Sequence, residues 1–149
     1  MHRETGRPSF ADEWIPEEIG RNETLERIDA VLDWEHLAAV VAGVHAAPQG
    51  RPAYPPLAML KVMLLQQWYA ASDPAIEEAL RDRLSFRRFA GLGLDDPTPD
   101  HSTISRFRKQ LAGRGLDEAV FAEINRQLEA LGLMVKRGTL ADATIVEAA

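Results

Sequence analysis

The chain has no cysteine in its 149 residues. That absence removes disulfides and Cys-based zinc sites, and it fits a reducing compartment. Long apolar runs are missing too. The most apolar segment, Leu37 to Val44, includes Gly43 and falls well short of the roughly 18 residues of a membrane span. The opening MHRETGRPSF has no apolar stretch of the kind a secretory signal needs, so the expected address is the cytoplasm and no membrane partner is expected. Familiar catalytic signatures are also lacking. There is no glycine-rich phosphate loop, no G-x-S-x-G elbow and no H-E-x-x-H. The 4 histidines are too dispersed to form a metal cluster by spacing.

What is present suits a globular domain. A hydrophobic share of 46% with 27% charged residues supplies both a core and a solvated surface. A chain of this length buries roughly 70% of its extended surface on folding. Net charge is −6, which taken whole disfavours a nucleic-acid partner, but the charge is unevenly spread. Residues 1–50 carry 4 basic and 10 acidic side chains, 51–115 carry 10 and 7, and 116–149 carry 3 and 6. The middle segment is therefore net positive, and local charge decides where a polyanion docks. The plainer reading of the same arginines is a solvated helical surface.

Read along the chain, residues 1–21 form an irregular arm with Pro8, Pro16 and Gly20, tacked to the core by Phe10, Trp14 and Ile15. Residues 22–132 read as a helical domain. Asn22 caps a first helix through Leu25, Ile28, Val31 and Leu32, and Asp33 opens a second with Leu37, Val40, Val41 and Val44 inward. Ala47 to Pro56 is a loop. Pro55 and Pro56 then start a helix whose Leu57, Leu60, Leu64, Leu65 and Trp68 make one apolar stripe. Ser72-Asp73-Pro74 opens another, with Ile76, Leu80 and Leu84 inward and Glu77 and Glu78 placed favourably for its dipole. A short helix with Phe86 and Phe89 ends at Gly91, and Gly93 to Asp100 is a loop. Helices follow over about 99–112 and about 117–131, the last with Val120, Ile124, Leu128 and Leu131 inward and Gly132 as its stop. Residues 133–149 then change period. Leu133 to Lys136 and Thr139 to Val146 read as paired strands about an Arg137-Gly138 turn. The fold class expected is mainly α: about six helices with a helix-turn-helix-like unit, then a short β hairpin.

The segment PDHSTISRFRKQL carries the most chemistry. At 100° per residue Ile104, Phe107 and Leu111 fall on one narrow stripe, and Ser102, Ser105, Arg106 and Lys109 fall opposite. His101, for which no role is assigned, and Arg108 lie on the flank. Hydroxyls at a helix N-terminus can bond phosphate oxygens, and arginines further along can fork onto guanine edges in a major groove. A second basic cluster, Arg83, Arg87 and Arg88, precedes it. In RLSFRRF the two phenylalanines anchor the turn while Arg87 and Arg88 face outward, suited to phosphate. The structural alternative is that these arginines solvate a helix or pair with Asp82, Asp95 and Asp96.

In GTLADATIVEA, strand alternation sets Asp142 among Leu140, Thr144 and Val146. A carboxylate inside an apolar strand is expensive without a partner or a metal, and such local conflicts often mark functional residues. One carboxylate supplies only part of a divalent-cation site, because hard cations want more oxygen ligands. The competing reading is a solvated aspartate in a frayed tail.

With these residues in view, the chain resembles the front part of transposases of the insertion-sequence-five family. The matching blocks are GRPAYPPLAMLKVMLLQQWYAASDPAIEEALRDRLSFRRFAGLGLDD, PDHSTISRFRKQL and FAEINRQLEALGLMVKRGTLADATIVEA, with FADEW and IDAVLDWEHL resembling the family's opening. The resemblance implies an N-terminal helical domain that recognises the terminal inverted repeats of the element in double-stranded DNA. Ser102, Thr103, Ser105, Arg106, Arg108 and Lys109 match its DNA-reading region. It further implies an RNase H-like catalytic domain, in which three acidic residues hold two Mg²⁺ ions for strand cleavage and transfer. Asp142 matches the first of the three, and residues 133–149 match the first strands of that domain. The other two acidic residues have no counterpart here. The expectation is therefore a chain that binds DNA, holds no metal tightly by itself and does not cut. Two other classes stay open: a protein–protein module that dimerises with and inhibits intact transposase, and a stand-alone helix-turn-helix regulator.

Overall fold

A computed structural model describes residues 3–44, 54–139 and 142–147, with the backbone alone described from residue 136 onward. Its elements are a short 3-10 helix Phe10–Trp14, then α1 Glu23–Val31, α2 Trp34–Val41, α3 Pro56–Trp68, α4 Asp73–Asp82, α5 Leu84–Ala90, α6 His101–Gly113, α7 Leu116–Ala130, β1 Leu133–Thr139 and β2 Asp142–Glu147. The mainly helical class expected from the sequence is what the chain adopts.

The helix starts follow from capping chemistry. Asn22 Oδ1 accepts from the Leu25 amide at 3.0 Å, while its Nδ2 donates to the Tyr69 hydroxyl at 3.0 Å, tying the start of α1 to the end of α3. Asp33 caps α2 through the His36 amide at 3.1 Å, and Ser72 caps α4 through the Ala75 amide at 3.2 Å. Gly91 ends α5 in the left-handed conformation at φ 75°, a backbone state that glycine adopts without a Cβ penalty.

One helix organises the rest. The apolar residues of α3 do not form a single stripe: Met59, Leu60, Val62, Met63, Leu64, Leu65 and Trp68 are all buried. A helix apolar nearly all round must be wrapped by others, and α3 packs against α2, α4, α5, α6 and β1. Around it lie Leu25, Ile28, Leu37, Val41, Ile76, Leu80, Phe86, Phe89, Ile104, Phe107, Leu111, Val120, Ile124 and Leu128 in one continuous core.

Four local expectations need correction. Phe10 and Trp14 do not anchor the arm; they are 75% and 73% exposed, with ring centroids 5.9 Å apart. Backbone contacts hold the arm instead. The Gly6 amide donates to Asp96 Oδ2 at 2.7 Å, Arg88 Nη1 donates to the Ile19 carbonyl at 2.6 Å, and Gly20 packs so tightly on Leu84 that a Cβ would meet it at 2.8 Å. Leu84 accordingly starts α5 half-buried rather than ending α4 in the core. Leu131 is 55% exposed, since it follows the last turn of α7 and is its C-cap. The strand turn is not at Arg137-Gly138, which lies inside β1. Pairing runs Lys136↔Thr144 and Thr139↔Asp142, three steps on one strand against two on the other, so a bulge absorbs the glycine. The hairpin docks on α3, α7 and α1, with Leu133 buried. The loop expected over Ala47–Pro56 lies mostly outside the described residues.

Candidate nucleic-acid interface

Helix α6 is fixed at its start by two carboxylates from different directions. Asp100 Oδ1 accepts from the Thr103 amide at 2.8 Å and from the Ser102 hydroxyl at 2.8 Å. Glu77 of α4 accepts from the His101 amide at 3.0 Å and lies 3.3 Å from its Nδ1. Glu77 thus supports the start of α6 rather than the dipole of its own helix. These bonds hold both acids charged. The Thr103 amide and the Ser102 hydroxyl pull Asp100 down to about 2, and the His101 amide lowers Glu77. The inward side of α6 is Ile104, Phe107 and Leu111, all buried, as the helical period requires.

The connection into α6 is residues 91–100, longer than the roughly three- to four-residue turn of a helix-turn-helix. Its shape is set by Arg87. The guanidinium donates to the carbonyls of Gly93 at 2.8 Å, Asp96 at 2.7 Å, Leu94 at 3.3 Å and Leu80 at 3.3 Å. Asp96 Oδ2 closes the loop onto the Gly93 amide at 2.6 Å. Arg87 therefore faces inward, opposite to its expected placement, because four carbonyls in a partly buried setting take the donors of its Nη1 and Nη2.

The basic surplus of the middle segment can be assigned residue by residue. Lys61 pairs with Asp29 at 3.1 Å and lies over the Trp34 ring at 4.3 Å. Arg81 is 3.8 Å from Glu77, and Arg83 stacks on the Phe86 ring at 5.0 Å. Arg88 is exposed but tethered to the arm through the Ile19 carbonyl. Arg108 donates to both oxygens of Asp73 and, at 2.7 Å, to Gln66 Oε1. It belongs to the α4–α6 packing, not to the outer face. Arg51 lies outside the described residues.

Three cations are left on one face. Arg106 spends only its Nε, on the Ser102 carbonyl of its own helix at 3.4 Å. Lys109 and Arg114 are exposed, and among the described residues neither side chain has a partner. Arg106, Lys109, Gln110, Gly113 and Arg114 line one open depression along α6. Arg114 was not singled out from the sequence because it sits one residue beyond the helix. Spacing could have found it: positions 106, 110 and 114 step by one helical turn. Ser105 is half-buried on this helix. The side chain of Asp142 lies outside what is described; its backbone pairs with Thr139 near the connection between β1 and β2.

A family model described as a transposase domain (DUF772) matches residues 10–110, from the 3-10 helix of the arm through most of α6. The chain belongs to that family. The match spans more than half the chain and takes in the central helix α3, both carboxylates at the start of α6, and Arg87 with its loop. No solved structure matches the chain. Among the described residues no helix is long and apolar enough to cross a membrane, and no group of three or more His, Cys, Asp or Glu could hold a metal ion. The transposase-domain region thus includes Arg106 and Lys109 of the cationic face and ends before Arg114.

Proposed function

We propose that this transposase-domain chain binds double-stranded DNA at the ends of its element, as the recognition region of an insertion-sequence-five-type DDE transposase. The observation that carries the reading is the outer face of α6. In a chain of net charge −6 it keeps Arg106, Lys109 and Arg114 clear of every carboxylate partner among the described residues. Unpaired cations on a rigid helix are what a phosphate backbone neutralises. In this reading α6 is the reading helix, supported by α3, α4 and α7, with the long Arg87-braced loop in place of the tight turn of a helix-turn-helix.

In this reading Asp142, on β2, is the first of three acidic residues that together would hold Mg²⁺ for strand cleavage. One carboxylate does not make a two-metal site, and the donors described do not supply the others.

A second reading, a module that pairs with intact transposase, is favoured by one observation: Phe10 and Trp14 stand exposed side by side on the arm. A mobility-shift competition separates the two. The DNA reading expects a shifted element-end duplex at low salt, displaced by unlabelled end duplex well before random duplex, and unchanged when Phe10 and Trp14 are both replaced by serine. No shift at any protein concentration would leave the pairing module as the better account.

A further inference from the structure

Resting on the DNA-binding reading, we propose that the C-terminal half of α6, and not its N-terminal half, makes the contact, with Gln110 reading a base edge between phosphate contacts from Arg106, Lys109 and Arg114.

The N-terminal half is already committed. A helix start attracts phosphate through free amides and a positive dipole end. Here the His101 and Thr103 amides are taken by Glu77 and Asp100, and the Ser102 hydroxyl is taken by Asp100. Two carboxylates held charged at that end repel a phosphate rather than receive it. Arg108, the remaining cation of the helix, is consumed by Asp73 and Gln66.

The other half has the opposite character. Arg106, Lys109, Gln110, Gly113 and Arg114 stand at i, i+3, i+4, i+7 and i+8, one continuous face, and together line a depression. Gly113 is one of its lining residues and has open space beside it: a Cβ there would meet nothing within 4 Å. Arg114 lies against the turn after α2, where a Cβ on Gly43 would meet its Nη1 at 3.0 Å. From Arg106 to Arg114 the helix advances about 12 Å at 1.5 Å per residue, close to the roughly 12 Å width of a B-DNA major groove. Cations at the two ends then reach opposite phosphate walls. Gln110, midway and without a side-chain partner among the described residues, faces the floor of the groove. A glutamine amide there pairs bidentately with adenine N6 and N7.

The test uses the full chain and duplexes that it selects from a random-sequence pool, with a scrambled duplex as control. Lys109→Ala and Arg114→Ala should each weaken both duplexes about tenfold and each flatten the salt dependence by about one unit of slope. Gln110→Ala should weaken only the selected duplex, by about five- to a hundredfold, and should lose an adenine preference. Ser102→Ala and Thr103→Val should change neither duplex. Gly113→Glu enters open space, so it should fold with an unchanged melting temperature yet lose binding at least tenfold. Wild-type binding that Ser102→Ala weakens more than Arg114→Ala, or that tolerates Gly113→Glu, would overturn this inference alone. No wild-type binding in low salt would overturn the DNA reading beneath it.

Discussion

Arg108 of α6 grips Asp73 of α4 with both arms of its guanidinium, Nη1 standing 3.1 Å from Oδ2 and Nη2 bonding Oδ1. The same Nη2 reaches Gln66 Oε1 at 2.7 Å, and Gln66 Nε2 closes the triangle on Asp73 Oδ1 at 2.6 Å. Three helices are thereby fixed to one another. The pairing lowers the Asp73 carboxyl from its ordinary value and raises the arginine from its own. An arginine that seemed a DNA contact from its place on a basic helix is a structural clamp.

Replacing Arg108 with alanine should therefore destabilise the fold by about 1–2 kcal/mol, the range for a half-buried bidentate pair with an added hydrogen bond. DNA affinity per folded molecule should stay as it was. Urea unfolding measures the first and a titration below the melting point the second. A binding loss with unchanged stability would restore Arg108 to the interface.

Acid should loosen the same region. Asp73, Glu77 and Asp100 all have folded-state values below the ordinary 3.8, 4.5 and 3.8, because each accepts hydrogen bonds as a carboxylate. A depressed acid stabilises the fold above its unfolded value and loses that contribution as pH falls through its folded value, which for Asp100 is about 2. The urea midpoint should fall from about pH 5 toward pH 2. Asp100→Asn keeps a capping oxygen and should lose little at neutral pH while showing a shallower acid fall. Parallel curves for variant and wild type would show that this cap does not carry the effect.

Arg87 makes a different prediction, since among the described residues no carboxylate holds it. Arg87→Ala removes the side-chain donor to the carbonyls of Leu80, Leu94 and Asp96, leaves Gly93 only the Asp96 amide, and should destabilise by about 2–3 kcal/mol. Arg87→Lys should not rescue this, because one ammonium cannot fork to carbonyls on two sides. The salt slope of DNA binding should be unchanged in either variant at temperatures where it is folded. A reduced slope would mean that Arg87 meets phosphate after all.

The contrast among the arginines explains what the sequence could convey. Capping at Asn22, Asp33 and Ser72, the stop at Gly91, and the inward stripe Ile104, Phe107 and Leu111 are local signals, set by residues within one or two turns. They were readable. Arg87, Arg108 and Arg106 all read from the sequence as cations of a basic surface, yet their roles depend on carbonyls of a loop, on an aspartate 35 positions away, and on the lack of a carboxylate partner among the described residues. Nor could periodicity say that α3 is wrapped on all sides, because its surroundings come from five other elements. Phe10 and Trp14 misled for a related reason: composition marks aromatics as core, but whether a site in the core awaits them is a tertiary fact. The hairpin was legible as paired strands, and its turn was misplaced because a glycine marks a bulge as readily as a turn.

The salt dependence of duplex binding tests the central claim most directly. With Arg106, Lys109 and Arg114 free to neutralise phosphate, and Arg83 or Arg88 adding at most a little, log K should fall against log salt with a slope of about −3, from about 0.9 per phosphate. Fluorescence anisotropy of a labelled element-end duplex between about 50 and 200 mM salt measures it. The account predicts that slope in the wild type and a slope near zero in the triple variant Arg106→Ala, Lys109→Ala, Arg114→Ala. Absent binding at the lowest salt, or a slope that the triple variant leaves intact, would contradict it.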